Sequence, residues 1–124
     1  MGERICLIVD DEPAIRTYLS IVLRRRGIRS LEAGNTIEAL RIVKELDGRI
    51  DLLITDIQMP GDLDGIDLAY SVKSSFSALP VIVISGGMEI APWGLDVTRK
   101  PFVPGVILEA VDKALLPPTS ETSH

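Results

Sequence analysis

Several features that mark particular classes of protein are scarce in this sequence. The chain has one cysteine, Cys6, and one histidine, His124, which is its final residue. One cysteine excludes an internal disulfide, and a single terminal histidine supplies neither a metal-binding cluster nor a catalytic triad. No apolar run reaches the roughly eighteen residues that cross a membrane. We therefore expect no disulfide, no histidine-dependent chemistry and no membrane partner.

Cys6 lies inside the apolar run of residues 5–9, where a buried structural thiol is expected rather than a reactive one. The same N-terminal stretch lacks the charged, apolar and small-residue zones of a signal peptide. Together these features predict a cytoplasmic protein.

Length, composition and charge further limit the class of protein to which this chain can belong. The 124 residues suit one globular domain, and 46% apolar with 25% charged residues is ordinary for a folded chain. The net charge of −5 repels a nucleic acid backbone. One basic run, Arg24-Arg25-Arg26, directly precedes Gly27 at a predicted helix end, where the helix dipole favours cations. The run indicates a solvated helix end more than a nucleic-acid patch, and we expect no direct DNA binding.

Short apolar runs alternate with segments of helical spacing along the chain. The sequence predicts strands at residues 5–9, 28–33, 51–55, 81–84 and 95–99, and the apolar runs at 5–9 and 51–55 suit strands of a parallel sheet buried on both faces. The predicted inward face of the second helix, capped by Asn35 or Thr36, carries Ile37, Leu40, Val43 and Leu46. The last helix is marked by Val103, Ile107, Ala110, Val111, Ala114 and Leu115. This alternation predicts an α/β fold with a parallel sheet and helices on both faces.

Polar residues follow four of the predicted strands. They are Asp10-Asp11, Asp56, Ser85 and Lys100. A parallel sheet brings such strand ends together, and ligands bind at that edge. Clustered carboxylates repel each other, and a hard cation such as Mg²⁺ relieves that repulsion. The sequence therefore predicts an acidic magnesium site.

The same residue types suit phosphoryl transfer. Asp56 can act as the nucleophile, while the metal and Lys100 neutralise charge on the transferred group. The Ser85 hydroxyl can donate to a phosphoryl oxygen, and Gly86 and Gly87 leave room for it. Each piece alone is ordinary turn, cap or loop chemistry. Their joint occurrence, in order and at the correct strand ends, favours a phosphoryl site.

These segments resemble the receiver domains of two-component response regulators. The matching motifs are Ile8-Val9-Asp10-Asp11-Glu12-Pro13, Thr55-Asp56-Ile57-Gln58-Met59-Pro60-Gly61, Asp64-Gly65, Ser85-Gly86 and Lys100-Pro101-Phe102. The resemblance covers about residues 4 to 116. It implies a flavodoxin-like, doubly wound five-stranded sheet of order 2-1-3-4-5, a receiver domain at residues 1–117 and a flexible tail at residues 118–124.

The resemblance also implies a role for each site residue. Asp56 is the phosphoacceptor and a Mg²⁺ ligand, Asp11 binds the metal directly, and Asp10 supports it through water. The backbone carbonyl of Gln58 completes the protein ligands. Ser85 is the switch hydroxyl and Lys100 the cation that pairs with the phosphoryl group. The peptide bond before Pro101 is expected to be cis.

The expected function is that of a single-domain response regulator in a phosphorelay. A sensor histidine kinase or a histidine phosphotransfer protein supplies the phosphoryl group, and the altered surface then binds a downstream protein target or passes the group on. Such a domain is not a conventional enzyme, although it promotes its own phosphorylation and dephosphorylation. A monomer and a weak homodimer are both compatible with the sequence.

The sequence departs from the usual family pattern in three places. The loop of residues 59–65 is one residue longer than the commonest form. Residues 88–94 are too few for a three-turn helix of about eleven residues, so the fourth helix of the family is expected to be shortened or absent. Val97 stands where an aromatic residue is usual, which puts the usual aromatic switch in doubt. Nearby Trp93 is either a packing residue or a partner-binding anchor.

Three other functions fit the sequence less well. A phosphatase with an aspartyl-phosphate intermediate would need an acid two residues after Asp56, and Gln58 cannot donate an acidic proton. A degenerate receiver would lack an acid, the hydroxyl or the lysine, and all are present. A flavin-binding module would have a hydroxyl-rich phosphate loop after the first strand, where this chain has three acids.

Overall fold

The computed structural model describes residues 3–86, 96–99 and 103–116. Within these ranges five strands and four helices follow one another along the chain. In order they are β1 (Arg4–Val9), α1 (Pro13–Arg24), β2 (Ile28–Ala33), α2 (Thr36–Glu45), β3 (Leu52–Asp56), α3 (Gly65–Ser75), β4 (Val81–Ser85), β5 (Asp96–Arg99) and α4 (Pro104–Ala114).

The strands form a single parallel sheet of order β2-β1-β3-β4-β5. Val9, at the end of β1, lies beside Ala33 of β2 and Thr55 of β3. The strand ends therefore share one edge of the sheet. The flavodoxin-like fold and strand order predicted from the sequence are confirmed.

Two apolar clusters cover the two faces of the sheet, because alternate residues of a strand point to opposite sides. Leu7 and Val9 join the cluster that contains the buried residues of α2 and α3. Cys6 and Ile8 join the cluster built with α1 and α4. This explains why β1, β3 and β4 are largely continuous apolar runs in the sequence, and it confirms helices on both faces.

Two sequence predictions fail at helix residues: that Ile37 faces inward from α2, and that Val103 belongs to the last helix. Ile37 is 68% exposed and Val103 is 62% exposed. The buried stripe of α2 begins at Thr36 and continues through Ala39 and Val43, which turns Ile37 towards solvent. Val103 is the N-cap of α4, with extended backbone, and so precedes the helical stripe. The sequence-based assignment was wrong at both positions.

The basic run of residues 24–26 lies at the end of α1. Arg24 is the last residue of α1 and Arg25 its C-cap, as predicted for a helix end. Arg26 forms a two-point ion pair with Asp112 of α4, at 2.9 and 3.0 Å.

None of the helices in the described ranges has the length and apolarity needed to cross a bilayer.

Some predictions concern residues outside the described ranges. They are the shortened helix at residues 88–94, the surroundings of Trp93, the cis bond before Pro101 and the tail at residues 118–124. The β5 backbone includes Val97, but its side chain is also outside the description. These points stay predictions.

Candidate functional site

Three carboxylates meet at the carboxyl edge of the sheet. Asp10 and Asp11 directly follow β1, and Asp56 is the last residue of β3. One carboxylate oxygen from each lies within 4.8 Å of the others. Asp10 and Asp56 are buried, at 1% and 7% exposure, whereas Asp11 is exposed. Three negative charges this close, two of them shielded from water, form an all-oxygen donor set that suits a hard divalent cation.

Backbone hydrogen bonds fix the position of Asp10. Its N–H donates to the carbonyl of Ala33 at 3.1 Å, which ties the end of β1 to the end of β2. Its Oδ1 accepts a hydrogen bond of 2.9 Å from the N–H of Glu12. This turn leads into α1, where Pro13 takes the first helical position, at which no N–H is needed. The carboxylate of Asp10 therefore has a defined direction.

Asp56 is held by its own strand and by the next residue. Its Oδ1 accepts from the N–H of Ile57 at 2.9 Å, and that N–H also approaches the carbonyl of Ile84 at 3.0 Å. The hydroxyl of the buried Thr55 donates to the backbone carbonyl of Asp56 at 2.9 Å. The carboxylate is thus fixed where β3 meets β4.

The start of α3 packs directly onto this strand end. The N–H of Gly65 donates to the carbonyl of Ile57 at 2.8 Å. Asp64 is the N-cap, and its side chain forms a reciprocal capping box with Asp67. These contacts anchor the C-terminal side of the loop at residues 59–65 beside the acidic cluster.

A cavity of about 470 Å³ opens at this edge of the sheet. It is lined by Asp11, Glu12, Asp56, Gln58, Met59, Pro60 and Gly86. The volume is ample for a small anion together with a metal ion. Glu12, for which the sequence predicted no role, adds a further acid to the lining. Its position directly after Asp10-Asp11 is the feature of the sequence that could have indicated this.

Ser85 and Lys100 are the two remaining predicted site residues. Ser85 is fully buried at the end of β4, next to Gly86 of the cavity lining. Its backbone lies opposite Arg99, the last residue of β5. Lys100 lies outside the described ranges, so its predicted place beside Asp56 stays a prediction.

Cys6 is separate from this chemistry. It is fully buried in the cluster under α1 and α4, and burial raises the pKa of its thiol. A thiol in that state is a poor nucleophile and a poor metal ligand. The structural role expected from the sequence agrees with this environment.

The chain is similar to known proteins over nearly its whole length. The family model of the response regulator receiver domain matches residues 6–111. The transcriptional regulatory protein ResD of Bacillus subtilis (strain 168) is 37% identical over 125 residues, covering 95% of this chain and 50% of that protein. Sensor kinase CckA of Brucella abortus (strain 2308) is 34% identical over 90 residues, covering 73% of this chain and 9% of the kinase. The chain therefore spans half or less of the length of these curated relatives.

A solved structure gives the same result for the fold. The receiver domain of the hybrid histidine kinase CckA is 38% identical, with a TM-score of 0.79, and the match covers 90% of this chain and 99% of that one. The family match and the structural match point to the same family. The family match at residues 6–111 includes the strands that carry the acidic cluster. The chain belongs to the family of response regulator receiver domains.

Proposed function

We propose that Asp56 accepts a phosphoryl group from a sensor histidine kinase or a histidine phosphotransfer protein, with Mg²⁺ bound beside it. The observation that carries this proposal is the convergence of the Asp10, Asp11 and Asp56 carboxylates within 4.8 Å at the edge of an open cavity. The family is a signalling domain rather than a conventional enzyme. The domain's own contribution is to promote its phosphorylation and dephosphorylation.

The cation would be held by Asp11, Asp56 and the backbone carbonyl of Gln58, with Asp10 acting through water. Asp11, Asp56 and Gln58 all line the cavity, which supports this ligand set. Oxygen donors with access to solvent match the preference of Mg²⁺, which keeps several waters when bound. When bound, Mg²⁺ neutralises charge on the phosphoryl oxygens.

The chain's own residues would carry out the transfer. A carboxylate oxygen of Asp56 forms the new bond to phosphorus as the phosphorus–nitrogen bond of the donor phosphohistidine breaks and the imidazole leaves. The bond from the N–H of Ile57 to Oδ1 orients the carboxylate for this attack. The hydroxyl of Ser85 would donate a hydrogen bond to one phosphoryl oxygen, and the ammonium of Lys100 would form an ion pair with another.

The phosphorylated domain would act through contact with another protein. Phosphorylation changes the surface presented to a downstream protein target, or the group is passed onward in a phosphorelay. We propose a receiver domain at residues 1–117. It would act in the cytoplasm as a monomer or weak homodimer without direct DNA binding.

Phosphorylation by a small donor tests the proposal. The protein is incubated with Mg²⁺ and acetyl phosphate, and its intact mass is measured. We expect one added phosphoryl group, lost when Mg²⁺ is chelated or when Asp56→Asn is introduced. Asp62→Asn, which changes an exposed aspartate in the adjacent loop, should be phosphorylated like the wild type. A wild-type protein that gains no mass, or an Asp56→Asn variant that gains the same mass, would contradict the proposal.

A further inference from the structure

Arg16 reaches from the first turn of α1 into the turn that carries two of the three carboxylates. Its Nη1 donates to the backbone carbonyl of Asp10 at 2.7 Å. Its backbone N–H donates to the carbonyl of Glu12 at 3.2 Å. Arg16 therefore binds both ends of the Asp10–Glu12 turn, one end with its side chain and the other with its main chain.

The guanidinium is itself held in place. Its Nε donates to Oε1 of Glu32 at 3.0 Å, and the Arg16 side chain is only 20% exposed. Glu32 lies on β2 beside Ile8 of β1 in the sheet register. The side chains of Ile8 and Glu32 thus share the α1 face of the sheet, which places the carboxylate under the guanidinium. The planar fork of an arginine can serve Glu32 and Asp10 at once, which a lysine ammonium cannot do with the same geometry.

The turn between these contacts has no helix or strand of its own. It lies between the end of β1 and the start of α1, and Asp11 at its centre is exposed. The direction of the Asp11 carboxylate therefore depends on how the flanking carbonyls are held. The Arg16 side chain holds the carbonyl of Asp10, and the first backbone hydrogen bonds of α1, from the N–H groups of Ile15 and Arg16, hold that of Glu12.

We propose that Arg16 is a positioning residue that holds the Asp10–Glu12 turn so that the Asp10 and Asp11 carboxylates face Asp56. This inference rests on the proposed function, in which those carboxylates bind Mg²⁺. Arg16 acts through the backbone of Asp10 and touches neither the metal nor the phosphoryl group.

Because Arg16 is charged, two explanations of its role predict opposite changes in Mg²⁺ affinity when it is replaced. A cation near the acidic cluster opposes binding of a second cation. If only charge mattered, Arg16→Met would bind Mg²⁺ more tightly than the wild type. If positioning matters, the same variant binds Mg²⁺ more weakly. Arg16→Lys keeps the charge and a hydrogen-bond donor that retains part of the contact, but loses the fork, so weaker binding in this variant is due to geometry alone.

The experiment is calorimetric titration of the full chain with Mg²⁺, with the Tm of each variant recorded without metal. Groups that orient metal ligands change metal affinity by about tenfold or more when removed. We expect Kd to rise about tenfold in Arg16→Met and less in Arg16→Lys. The matched control is Arg41→Met, which removes an exposed arginine on α2 that pairs with Glu38 and Glu45 of the same helix. Its Kd should match that of the wild type.

An unchanged or lower Kd in Arg16→Met, with a reduced Tm, would limit Arg16 to stabilising the fold and overturn the inference. If Arg16→Met does not fold, Arg16→Lys decides, and a wild-type Kd in that variant overturns the inference. A wild-type protein that binds no Mg²⁺ would instead contradict the proposed function, so the two failures are distinguishable.

Discussion

Gly65 begins α3 in direct contact with the main chain of Asp56. A Cβ atom at Gly65 would overlap the carbonyl oxygen of Asp56 and press on the backbone of Ile57. The loop that lines one side of the cavity is therefore tied to the strand that carries the proposed phosphoacceptor. A residue without a side chain makes this close junction of helix and strand sterically accessible.

Gly65→Ala should consequently destabilise the protein and disturb the site. The obstructing atoms are backbone, which cannot move aside as a flexible side chain can, so we expect a loss of about 2 kcal/mol or more in the free energy of unfolding. Mg²⁺ binding should weaken too. The measurement is urea unfolding, followed by Mg²⁺ titration of the folded variant.

The control for Gly65→Ala is Gly105→Ala, in α4. No atom lies within 4 Å of a Cβ placed at Gly105, so alanine should raise stability there by about 0.5–1 kcal/mol through helix propensity. Equal effects of the two substitutions would refute the steric explanation.

The sequence predicted the fold and the acidic cluster because both follow from local signals. Runs such as residues 5–9 identify strands buried on both faces, and a parallel sheet gathers whatever follows their ends. Asp10, Asp11 and Asp56 could therefore be placed together without coordinates. Their proximity depends on strand order more than on side-chain detail.

The contacts that support the cluster could not be predicted in the same way. The bond from Arg16 to the carbonyl of Asp10 is a side-chain to backbone contact, and the sequence of the acceptor residue carries no sign of it. The steric requirement at Gly65 depends on how closely α3 approaches β3. The spacing of Ile37 is helical, but the buried stripe of α2 runs through Thr36, Ala39 and Val43, and Ile37 lies outside it.

Asp11→Asn should have opposite effects on stability with and without metal. Without Mg²⁺, removing one of three clustered negative charges relieves repulsion, so we expect the free energy of unfolding to rise by about 1 kcal/mol. With Mg²⁺ the wild type gains stability from binding, and the variant gains much less. Tm is measured in chelator and in a Mg²⁺ series, with Asp62→Asn as the control. A variant stabilised by Mg²⁺ as strongly as the wild type would show that Asp11 is not a ligand.

Asp64→Ala should weaken the start of α3. The Asp64 side chain accepts from the N–H groups of Ile66 and Asp67, both at 2.9 Å. Loss of such a cap costs about 1 kcal/mol, whereas Asp64→Asn keeps an acceptor oxygen and should cost less. Urea unfolding of both variants measures the difference. Equal losses in the two would indicate that the charge of Asp64 matters and the cap does not.

Cys6 should not react with thiol reagents in the native protein. The side chain is inaccessible, and burial raises the pKa of the thiol, so little thiolate forms at neutral pH. We expect no labelling by iodoacetamide in native buffer and complete labelling in urea, followed by intact mass. Native labelling at the rate seen in urea would show that β1 is open to solvent.

The Arg26–Asp112 ion pair should make a small contribution to stability that depends on acid pH. The Arg26 guanidinium, through its hydrogen bonds and charge, holds the pKa of the Asp112 carboxyl below its ordinary value of 3.8. A carboxyl with a lowered pKa in the folded state stabilises the fold above its ordinary pKa, and this effect is lost as pH falls through the lowered value. Both side chains are well exposed, so the effect should be small.

The Tm difference between wild type and Asp112→Asn should therefore be constant from about pH 5 to 7 and shrink towards zero below about pH 3. Glu109→Gln, which removes the same charge from an exposed position on α4, is the matched control and should leave the Arg26 contribution intact. Differential scanning calorimetry across this pH range gives each Tm. A difference that grows as the pH falls has the wrong sign for a carboxyl stabilised in its charged form, and would show that the pair does not stabilise the fold.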